Sequence, residues 1–383
     1  MSKKRVFIAG SGGIGRAVGL LLRELGELEV DLILGDAYME QAESAVAFIL
    51  QDSQAPGSVK AMKIPLKGTT TQLTVALSGC DLVLDCLPGG QAPRVAGWAL
   101  EHGLHYANLT EYVAETKQIM EMAKDAPTGF ALQCGLAPGM INVLGMRLFN
   151  DFCERYGVDK VDVVKMRVGA LTQNAEAPHF YGFTWSPIGV ATEYVKKAEV
   201  VRDYKTVLVD SLEQVETLLI DGLAYEEATT SGGAADLPEA LAGRARNLDY
   251  KTLRYPGHWA WVKEQLAQFG DDPDRINKLQ DLMQSTIPEM EDDVVVVYAS
   301  VEGQGSTGRR HRLDAAYMVL PEAFGGQTLR AIQSTTAAGL AECARLLLTD
   351  EYKGTLLQSE LDPELYLNGP YVGAVYGVPN SEQ

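Results

Sequence analysis

Short apolar runs alternate with longer amphipathic segments in the first part of the chain. Apolar runs bounded by turn residues are typical of buried parallel strands, and apolar positions at helical spacing are typical of surface helices. The predicted strands are Val6–Ala9, Val30–Leu34, Lys60–Leu66, Asp81–Leu87, His105–Leu109 and Phe130–Cys134. Predicted helices are Met39–Leu50, Thr71–Leu77, Arg94–His102, Thr110–Lys124 and Met140–Phe152. This alternation predicts an α/β fold with a Rossmann-type doubly wound parallel sheet.

The second part of the chain has a different pattern. Val161–Gly169 partly alternates polar and apolar residues, as a half-buried strand does, and Lys205–Val209 is also predicted to be a strand. Asp293–Glu302 and Arg312–Leu320 predict a hairpin in an antiparallel or mixed sheet. The segment Gln327–Leu348 is mostly small and apolar, which predicts a buried helix that returns to the first domain.

The length of 383 residues exceeds what one hydrophobic core commonly holds, so we expect two domains. We predict a dinucleotide-binding Rossmann domain over residues 1–139, completed by the later segment 322–360. An inserted mixed α/β catalytic domain is predicted over 140–321. Residues 361–383 are predicted to form a tail, at the surface from Pro363 onward.

A glycine-rich turn follows the first predicted strand. Gly10, Gly12 and Gly15 have the spacing of a dinucleotide-binding fingerprint that opens a helix. Gly10 would permit the tight turn, Gly12 would let a pyrophosphate approach the backbone, and Gly15 would let the helix pack closely on the strand. The predicted cofactor contacts of this turn are Gly10, Ser11, Gly12, Gly13, Ile14 and Gly15.

Asp36 follows the second strand, 21 residues after Gly15, where this motif places an acid on the ribose hydroxyls. A 2′-phosphate at this point would meet a like charge. The next residues, Ala37 and Tyr38, supply no cation to offset that repulsion. The sequence therefore predicts NAD rather than NADP as cofactor.

Composition restricts the possible partners. With 33 Lys and Arg against 51 Asp and Glu, the net charge of −18 disfavours nucleic acid and anionic membranes as partners. No stretch approaches the roughly 18 consecutive apolar residues of a membrane span. The N-terminal Met-Ser-Lys-Lys-Arg leads into a strand without a small-residue cleavage site, so we expect no signal peptide and a cytoplasmic protein.

Cysteine and histidine usage argues against a metal centre. The five cysteines are odd in number and have no CxxC spacing, so neither a disulfide framework nor a zinc site is expected. The five histidines are scattered without an HxxxH pair. We expect no metal, and most cysteines are expected to be small core residues.

Four motifs carry a family resemblance. They are Thr110-Glu111-Tyr112-Val113, Gly135-Leu136-Ala137-Pro138-Gly139, Phe183-Thr184-Trp185-Ser186-Pro187 and the run Leu248–His258, which contains Thr-Leu-Arg-Tyr-Pro-Gly-His. In these motifs and their order the chain resembles the saccharopine dehydrogenase/reductase family, which includes lysine 6-dehydrogenases and carboxynorspermidine dehydrogenases. The resemblance implies a Rossmann domain completed by the C-terminal helix, with a mixed α/β domain inserted before it.

The resemblance also implies roles for particular residues. Beyond the glycine loop and Asp36, the implied cofactor contacts are Cys86, Leu87, Thr110, Leu136, Ala137, Pro138 and Ser186. Glu111, Tyr112 and Arg254 match positions that face the amino-acid substrate, and Trp185 matches a segment on the nicotinamide side. We expect a homodimer that takes a small amino-acid substrate.

Each candidate for the chemistry has a structural alternative. Glu111 could hold an amino group or accept a proton, or it could be an acid that stabilises a helix N-terminus. Lys251 could be a base, or a solvated lysine. Arg254 suits a carboxylate because its planar fork donates two hydrogen bonds, but it could pair with a surface acid. Trp185 could line the nicotinamide site or be a core aromatic residue.

Two departures from the family pattern restrict the substrate. Saccharopine reductases have an acid where this chain has Ala137, and an arginine in the loop that corresponds to Ser231-Gly232-Gly233, where none is present. A large substrate with two carboxylates is therefore disfavoured, and the motifs are more similar to those of lysine 6-dehydrogenase.

The resulting functional prediction is an NAD-dependent oxidoreductase that acts on the C–N bond of an amino acid and passes hydride to nicotinamide, giving an imine. One alternative is a carboxynorspermidine dehydrogenase-like reductive condensation of an aldehyde with a polyamine. The other alternative is a non-catalytic NAD-binding regulatory protein, since a fold alone does not establish catalysis.

Overall fold

The computed structural model describes residues 3–26 and 28–377. The strands are β1 Lys4–Ala9, β2 Val30–Asp36, β3 Val59–Lys63, β4 Leu82–Asp85, β5 His105–Asn108, β6 Gly129–Ala131, β7 Val161–Thr172, β8 Ala198–Arg202, β9 Lys205–Val209, β10 Glu216–Ile220, β11 Leu223–Thr229, β12 Ala245–Arg254, β13 Asp293–Gln304, β14 Arg310–Val319, β15 Glu322–Phe324, β16 Gln327–Leu329 and β17 Gly354–Leu356. The helices are α1 Gly13–Glu24, α2 Met39–Leu50, α3 Thr71–Leu77, α4 Ala92–His102, α5 Val113–Ala123, α6 Met140–Tyr156, α7 Pro187–Val195, α8 Leu237–Ala240, α9 His258–Phe269, α10 Arg275–Thr286, α11 Ala331–Thr349, α12 Pro363–Leu367 and α13 Pro370–Tyr376.

The chain divides into two compact units. The first unit comprises Met1–Met140, Glu322–Leu329 and Gln333–Gln383, and the second comprises Ile141–Pro321 and Arg330–Ile332. The first unit is therefore assembled from the beginning and the end of the sequence. The second unit is mostly one continuous stretch.

The first unit contains a seven-stranded parallel sheet. Its strand order is β17-β6-β5-β4-β1-β2-β3, and β1 is the strand at which the chain changes direction across the sheet. The central strand is completely buried from Val6 to Ala9, which explains its continuous apolar sequence. The structure shows the predicted doubly wound sheet, and ligands of such sheets bind beyond the carboxyl ends of the strands at the switch point between β1 and β4.

The second unit contains an eight-stranded mixed sheet. The main strand order is β10-β11-β12-β7-β13-β14, with β8 pairing with β12 and β9. Strands β12 and β7 are parallel, and the remaining pairs are antiparallel. The predicted hairpin is confirmed as β13 and β14. The mixed pairing fits the inserted α/β domain expected from the sequence.

The predicted start of the last long helix is wrong. Gln327–Leu329 forms β16 and pairs with β15, and the helix α11 begins only at Ala331. Between the two short strands Gly325 and Gly326 have φ angles of +53° and +82°. Two consecutive residues with positive φ make the type of turn that joins hairpin strands, and glycine adopts it without steric cost.

The segment from Pro363 onward is not a surface tail. It forms α12 and α13, and the side chains of Tyr366 and Tyr371 are completely buried. The buried Glu342 carboxylate on α11 accepts hydrogen bonds from the backbone N–H groups of Tyr371 (3.0 Å) and Val372 (3.3 Å) at the start of α13. The aromatic residues of this segment are the sequence signal for its burial. The last residues, 378–383, lie outside the described part of the chain.

Candidate functional site

The glycine loop has the geometry that the fingerprint predicts. Gly10 has a φ of +97°, and a Cβ there would lie 2.7 Å from the carbonyl group of Cys86. A Cβ on Gly15 would lie 1.9 Å from the carbonyl oxygen of Gly10, so close packing requires glycine at both positions. A Cβ on Gly12 would meet no atom within 4 Å. The open side of the loop is therefore at Gly12, where a pyrophosphate is expected to approach.

Helix α1 starts at Gly13, and no side chain caps its N-terminus. Its first turn carries no acidic residue. The free N–H groups and the positive end of the helix dipole favour a bound anion such as a pyrophosphate. Ile14 lies partly exposed in this turn and Ser11 is buried beside it.

Asp36 reaches back to the glycine loop from the end of β2. Its Oδ2 atom accepts a hydrogen bond from the Ser11 N–H (3.0 Å), and its Oδ1 atom accepts one from the Tyr38 N–H (3.1 Å). Each carboxylate oxygen has two acceptor positions, so Asp36 retains capacity for ribose hydroxyls. The structure thus places Asp36 beside the glycine loop, where the fingerprint predicts an acid that binds the ribose hydroxyls.

The turn after β4 packs directly on this loop. Cys86 and Leu87 are partly buried, and the Leu87 N–H donates a hydrogen bond to Oδ1 of Asp85 (3.0 Å). Asp85 is buried, and the Tyr106 hydroxyl donates to its Oδ2 atom (2.9 Å). Burial raises the pKa of Asp85 to about 7 although both hydrogen bonds oppose that shift. Sequence reasoning missed Asp85, whose signal is an acid at the last position of a buried strand.

The carboxyl end of β5 leads to Thr110, Glu111 and Tyr112. The predicted start of a helix at Thr110 is wrong because α5 begins at Val113, and Thr110 Oγ1 accepts the N–H of Tyr112 (3.2 Å). Glu111 and Tyr112 are partly exposed. Burial raises the pKa of Tyr112, and the charge of Glu111 raises it further. Glu111 therefore sits at the strand edge that carries the cofactor loop.

The loop after β6 is a tight turn. The Gly135 N–H donates to the carbonyl of Pro138 (3.0 Å), and the Met140 N–H donates to the carbonyl of Gly135 (2.9 Å). Leu136 and Pro138 are buried and Ala137 is partly exposed. The loop lies at the carboxyl edge of the parallel sheet, as the predicted cofactor contacts of Leu136, Ala137 and Pro138 require.

In the second unit, the side chain of Arg254 is only 1% exposed. Its Nε donates to the Tyr194 hydroxyl (2.9 Å), and its Nη1 donates to the carbonyl of Leu253 (2.9 Å). The guanidinium carbon lies 4.6 Å from the centre of the Tyr181 ring. Within the described residues Arg254 forms no ion pair, and the buried hydroxyl of Tyr181 has no hydrogen-bond partner. Burial lowers the pKa of Arg254, but Tyr194, Tyr181 and the buried carboxylate of Glu193 raise it by more, so the guanidinium stays charged. Its remaining N–H donors suit an anionic ligand.

Tyr194 connects Arg254 to a buried histidine. The Tyr194 hydroxyl lies 3.1 Å from Nε2 of His258, and Nδ1 of His258 lies 2.7 Å from the carbonyl oxygen of His179. Since a carbonyl only accepts, Nδ1 carries the proton and Nε2 accepts from Tyr194. Burial lowers the pKa of His258 to about 3, and the nearby Arg254 charge lowers it as well. Sequence reasoning did not find Tyr194, and it named His258 only as the last residue of the Leu248–His258 motif.

Lys251 lies in a different environment from Arg254. Its ammonium group contacts the carboxylates of Glu216 (2.7 Å) and Glu227 (3.1 Å). The guanidinium of Arg167 pairs with Glu227 (2.6 Å) and with Asp249 (2.9 Å). Burial raises the pKa of Glu227, but Arg167 and Lys251 lower it by more, so it stays below its usual value. These contacts favour a structural role for Lys251 over that of a base.

Strand geometry separates the two candidates on β12. Successive side chains of a strand point to opposite faces of the sheet, so Lys251 and Arg254, three positions apart, lie on opposite faces. The structure therefore does not bring the predicted base and the predicted carboxylate anchor together. Glu111 remains the predicted group for proton transfer.

Trp185 and Ser186 precede helix α7. The Ser186 hydroxyl oxygen accepts the Gly189 N–H (3.4 Å) and caps the helix, while the serine itself is exposed. The Trp185 ring is partly buried against Gly189, where a Cβ would lie 2.4 Å from it. Both residues belong to the second unit, and their predicted contacts with nicotinamide stay predictions.

The described residues contain neither a metal-binding cluster nor a membrane-spanning helix. No group of three or more His, Cys, Asp or Glu side chains is arranged to hold a metal ion in residues 3–26 and 28–377. Over the same residues, no helix combines the length and apolar character needed to cross a membrane.

Two family models match almost the whole chain. The saccharopine dehydrogenase NADP binding domain matches residues 6–131, and the saccharopine dehydrogenase C-terminal domain matches residues 135–373. An alpha-aminoadipic semialdehyde synthase of Arabidopsis thaliana is 28% identical over 163 residues, which are 42% of this chain and 14% of that protein. The mitochondrial alpha-aminoadipic semialdehyde synthase of Mus musculus is 23% identical over 210 residues, 54% of this chain and 21% of that protein. The chain thus spans about a fifth or less of the length of these curated relatives.

Solved structures share the fold over nearly the full length. Apo saccharopine dehydrogenase (L-Glu forming) from Saccharomyces cerevisiae has a TM-score of 0.70 at 14% identity, covering 97% of this chain and 95% of that chain. Homospermidine synthase from Legionella pneumophila, in complex with NAD, has a TM-score of 0.64 at 13% identity, covering 99% of this chain and 94% of that chain. At such identities the likeness establishes the fold alone. On the two family models, the chain belongs to the saccharopine dehydrogenase family, in which a nicotinamide-binding domain precedes the C-terminal domain.

Proposed function

We propose that this chain is an NAD-dependent amino-acid dehydrogenase that oxidises the carbon bearing an amine, with lysine or a close relative as substrate. The observation that carries the proposal is the buried guanidinium of Arg254, which feels the charge of Glu193 but forms no ion pair within the described residues and keeps N–H donors for a ligand. A substrate carboxylate would pair with this charge directly and accept two hydrogen bonds from one planar group. The relatives named alpha-aminoadipic semialdehyde synthases support an amino-acid substrate.

The residues around Arg254 define its part in the reaction. The Tyr194 hydroxyl fixes the guanidinium through Nε, and the Tyr181 ring lies against its face. With Nε–H and one N–H of Nη1 engaged, the second N–H of Nη1 and both N–H groups of Nη2 remain for a substrate carboxylate. His258 is neutral at pH 7 because its pKa is lowered to about 3, so it holds Tyr194 without adding a charge. Arg254 is thus a fixed positive group that orients the substrate.

Glu111 is the proposed acceptor of the substrate ammonium proton. Deprotonation frees the nitrogen lone pair, which stabilises the positive charge that develops on carbon as hydride leaves. Bound nicotinamide supplies the hydride acceptor. The imine formed from the substrate then reacts with water or with a second amine of the same molecule.

Asp36 supports NAD as the cofactor. Its carboxylate is held beside the glycine loop by the Ser11 and Tyr38 N–H groups, and Ala37 offers no positive charge for a 2′-phosphate. The family description of an NADP binding domain leaves both nicotinamide cofactors open for this chain. We also propose that the protein is a cytoplasmic homodimer. Light scattering of the purified protein would measure its molar mass and so test the dimer.

A screen of amino acids tests the function directly. The purified protein is incubated with NAD or NADP and each amino acid, and absorbance of the reduced nicotinamide is followed. Lysine or a homologue is expected to give turnover with NAD. If no amino acid gives turnover and NADH is consumed when an aldehyde and a polyamine are added, the result would favour reductive condensation instead. Absence of both reactions, with NAD bound, would favour a non-catalytic NAD-binding protein.

A further inference from the structure

A cleft in the second unit lies apart from the Arg254 side chain. Its volume is about 700 Å³, and it is bordered by the end of α7, the loop after β9 and helices α9 and α10. This volume lies within the range of roughly 300–1,000 Å³ that is typical of small-molecule sites. Part of the lining is apolar and consists of Tyr194, Val195, Leu212, Leu266 and Ala267. The cleft can therefore cover a small hydrocarbon group.

The rest of the lining carries charges of both signs. Lys263 and Arg275 are cationic, and Glu213 and Asp271 are anionic. None of these four side chains forms an ion pair or a side-chain hydrogen bond with another described residue. By contrast Asp210, in the same lining, is paired with Lys197 at 2.6 Å. The cleft thus offers unpaired positive and negative groups beside an apolar surface.

We propose that this cleft binds a free amino acid with an apolar side chain, in its zwitterionic form. The carboxylate would meet Lys263 and Arg275, and the ammonium group would meet Glu213 and Asp271. A simple anion would be repelled by the two acids, and a polyamine by the two cations, whereas a zwitterion satisfies both pairs. The apolar side chain would lie on the hydrocarbon part of the lining.

Tyr194 borders the cleft and also contacts Arg254, which lies outside the cleft lining. Its side chain borders the cleft, while its hydroxyl accepts from Arg254 and donates to His258. The ligand would therefore contact a tyrosine that also positions Arg254. The Arg254 guanidinium itself does not line the cleft.

Isothermal titration of the full chain with L-leucine tests the site. Two matched probes each lack one charge: N-acetyl-L-leucine has no ammonium group, and L-leucinamide has no carboxylate. We expect both to bind about tenfold more weakly than leucine, which corresponds to about 1.4 kcal/mol for the lost charge interaction. Absence of leucine binding, or equal binding of all three compounds, would overturn the proposal.

Variants locate the binding. The double change Lys263→Ala with Arg275→Ala is expected to weaken leucine binding about tenfold. Lys278→Ala with Arg246→Ala is the matched control, since these exposed cations pair with Asp272 and Asp203 outside the cleft. Arg254→Ala is expected to leave leucine binding unchanged, whatever its effect on catalysis. Loss of binding in the Arg254 variant with retention in the double variant would place leucine at Arg254 and overturn the proposal. All cleft variants alter exposed or partly exposed residues, so thermal unfolding can verify that they are folded.

Discussion

The carboxyl edge of the parallel sheet and the strand β12 of the second unit use different means to build a candidate site. At the sheet edge, glycines and backbone N–H groups form the cradle, and Asp36 is the main charged side chain. On β12, charged side chains form the site, with the unpaired Arg254 on one face and the fully paired Lys251 on the other. A backbone site is therefore encoded locally, whereas a side-chain site depends on partners from distant parts of the chain.

The largest expected effect concerns the paired face of β12. Glu227→Ala would leave Arg167 and Lys251 buried without their shared carboxylate, and we expect the free energy of unfolding to fall by about 3–5 kcal/mol. Urea unfolding followed by fluorescence measures this loss. Glu216→Ala is the matched control because it removes the 62% exposed partner of Lys251, and it is expected to cost about 0–1 kcal/mol. Equal losses in the two variants would mean that burial does not distinguish these pairs.

The second effect concerns the unpaired face of β12. Arg254→Ala should lower kcat/KM by about 2–5 kcal/mol of transition-state stabilisation, because a buried charged hydrogen-bonding partner of the substrate is removed. The affinity for NADH should stay nearly unchanged, since the glycine loop and Asp36 are intact. Steady-state kinetics and a fluorescence titration with NADH measure the two quantities. Arg254→Lys should rescue little, because an ammonium group cannot make the same planar contact.

An exposed arginine provides the control for that variant. Arg246 pairs with Asp203 at the surface, and Arg246→Ala should leave kcat/KM unchanged. If Arg254→Ala were as active as Arg246→Ala, Arg254 would have no part in binding the substrate. The contrast between the two faces of β12 would then be one of packing alone.

A third effect tests the backbone site at Asp36. The unmodified protein is expected to prefer NADH over NADPH by roughly tenfold to a hundredfold, because the partly exposed Asp36 repels a 2′-phosphate. The double change Asp36→Ser with Ala37→Arg should abolish or invert this preference, since it removes the repulsion and adds a phosphate partner. Fluorescence titrations with both cofactors measure it. Equal affinities in the unmodified protein would show that Asp36 does not contact the ribose.

The smallest effect is a pH dependence from the second unit. The pKa of His258 is lowered in the folded state to about 3, so the unfolded state binds more protons below the usual value of 6.5. Stability contributed by neutral His258 is therefore complete above that value and declines as the pH falls. Between pH 6.5 and pH 5.5 we expect a loss of about 1 kcal/mol. The difference between the unmodified protein and His258→Gln, in urea unfolding at each pH, isolates this titration. A difference that is independent of pH would contradict a neutral, buried His258.

Much of the first unit could be predicted because its signals are local. The strand, glycine turn, helix and acid occur within Val6 to Asp36, and their geometry follows from backbone rules. The side-chain alternation along a strand could also have been applied to the Leu248–His258 motif. It places Lys251 and Arg254 on opposite faces, which argues against their contacting the same substrate. The mistaken helix start at Gln327 resulted from weighing apolar content above the Gly325-Gly326 turn.

The partners of the second unit could not be predicted in the same way. Tyr194 is 60 positions from Arg254, and Glu227 is 60 positions from Arg167. No periodicity within one element relates residues so far apart, because their contact depends on how several strands and helices pack. The burial of Tyr366 and Tyr371 was missed for a similar reason, since their packing surface includes α11. Sequence analysis therefore named Arg254 from its motif but did not predict the hydrogen bond from Arg254 to Tyr194 or the contact of Tyr194 with His258.

The position of β17 has a consequence for the order in which the protein is synthesised and folds. β17 completes the parallel sheet beside β6, with Leu356 opposite Ala131. The segment from Ile141 to Pro321 is translated between the two strands, and at roughly 5–20 residues per second this takes about 10–40 s. During that time the nascent β6 has an unpaired edge, a type of surface that promotes strand pairing between chains. The nascent first unit therefore depends on β17 for protection from aggregation, whereas the second unit is translated almost entirely as one continuous stretch.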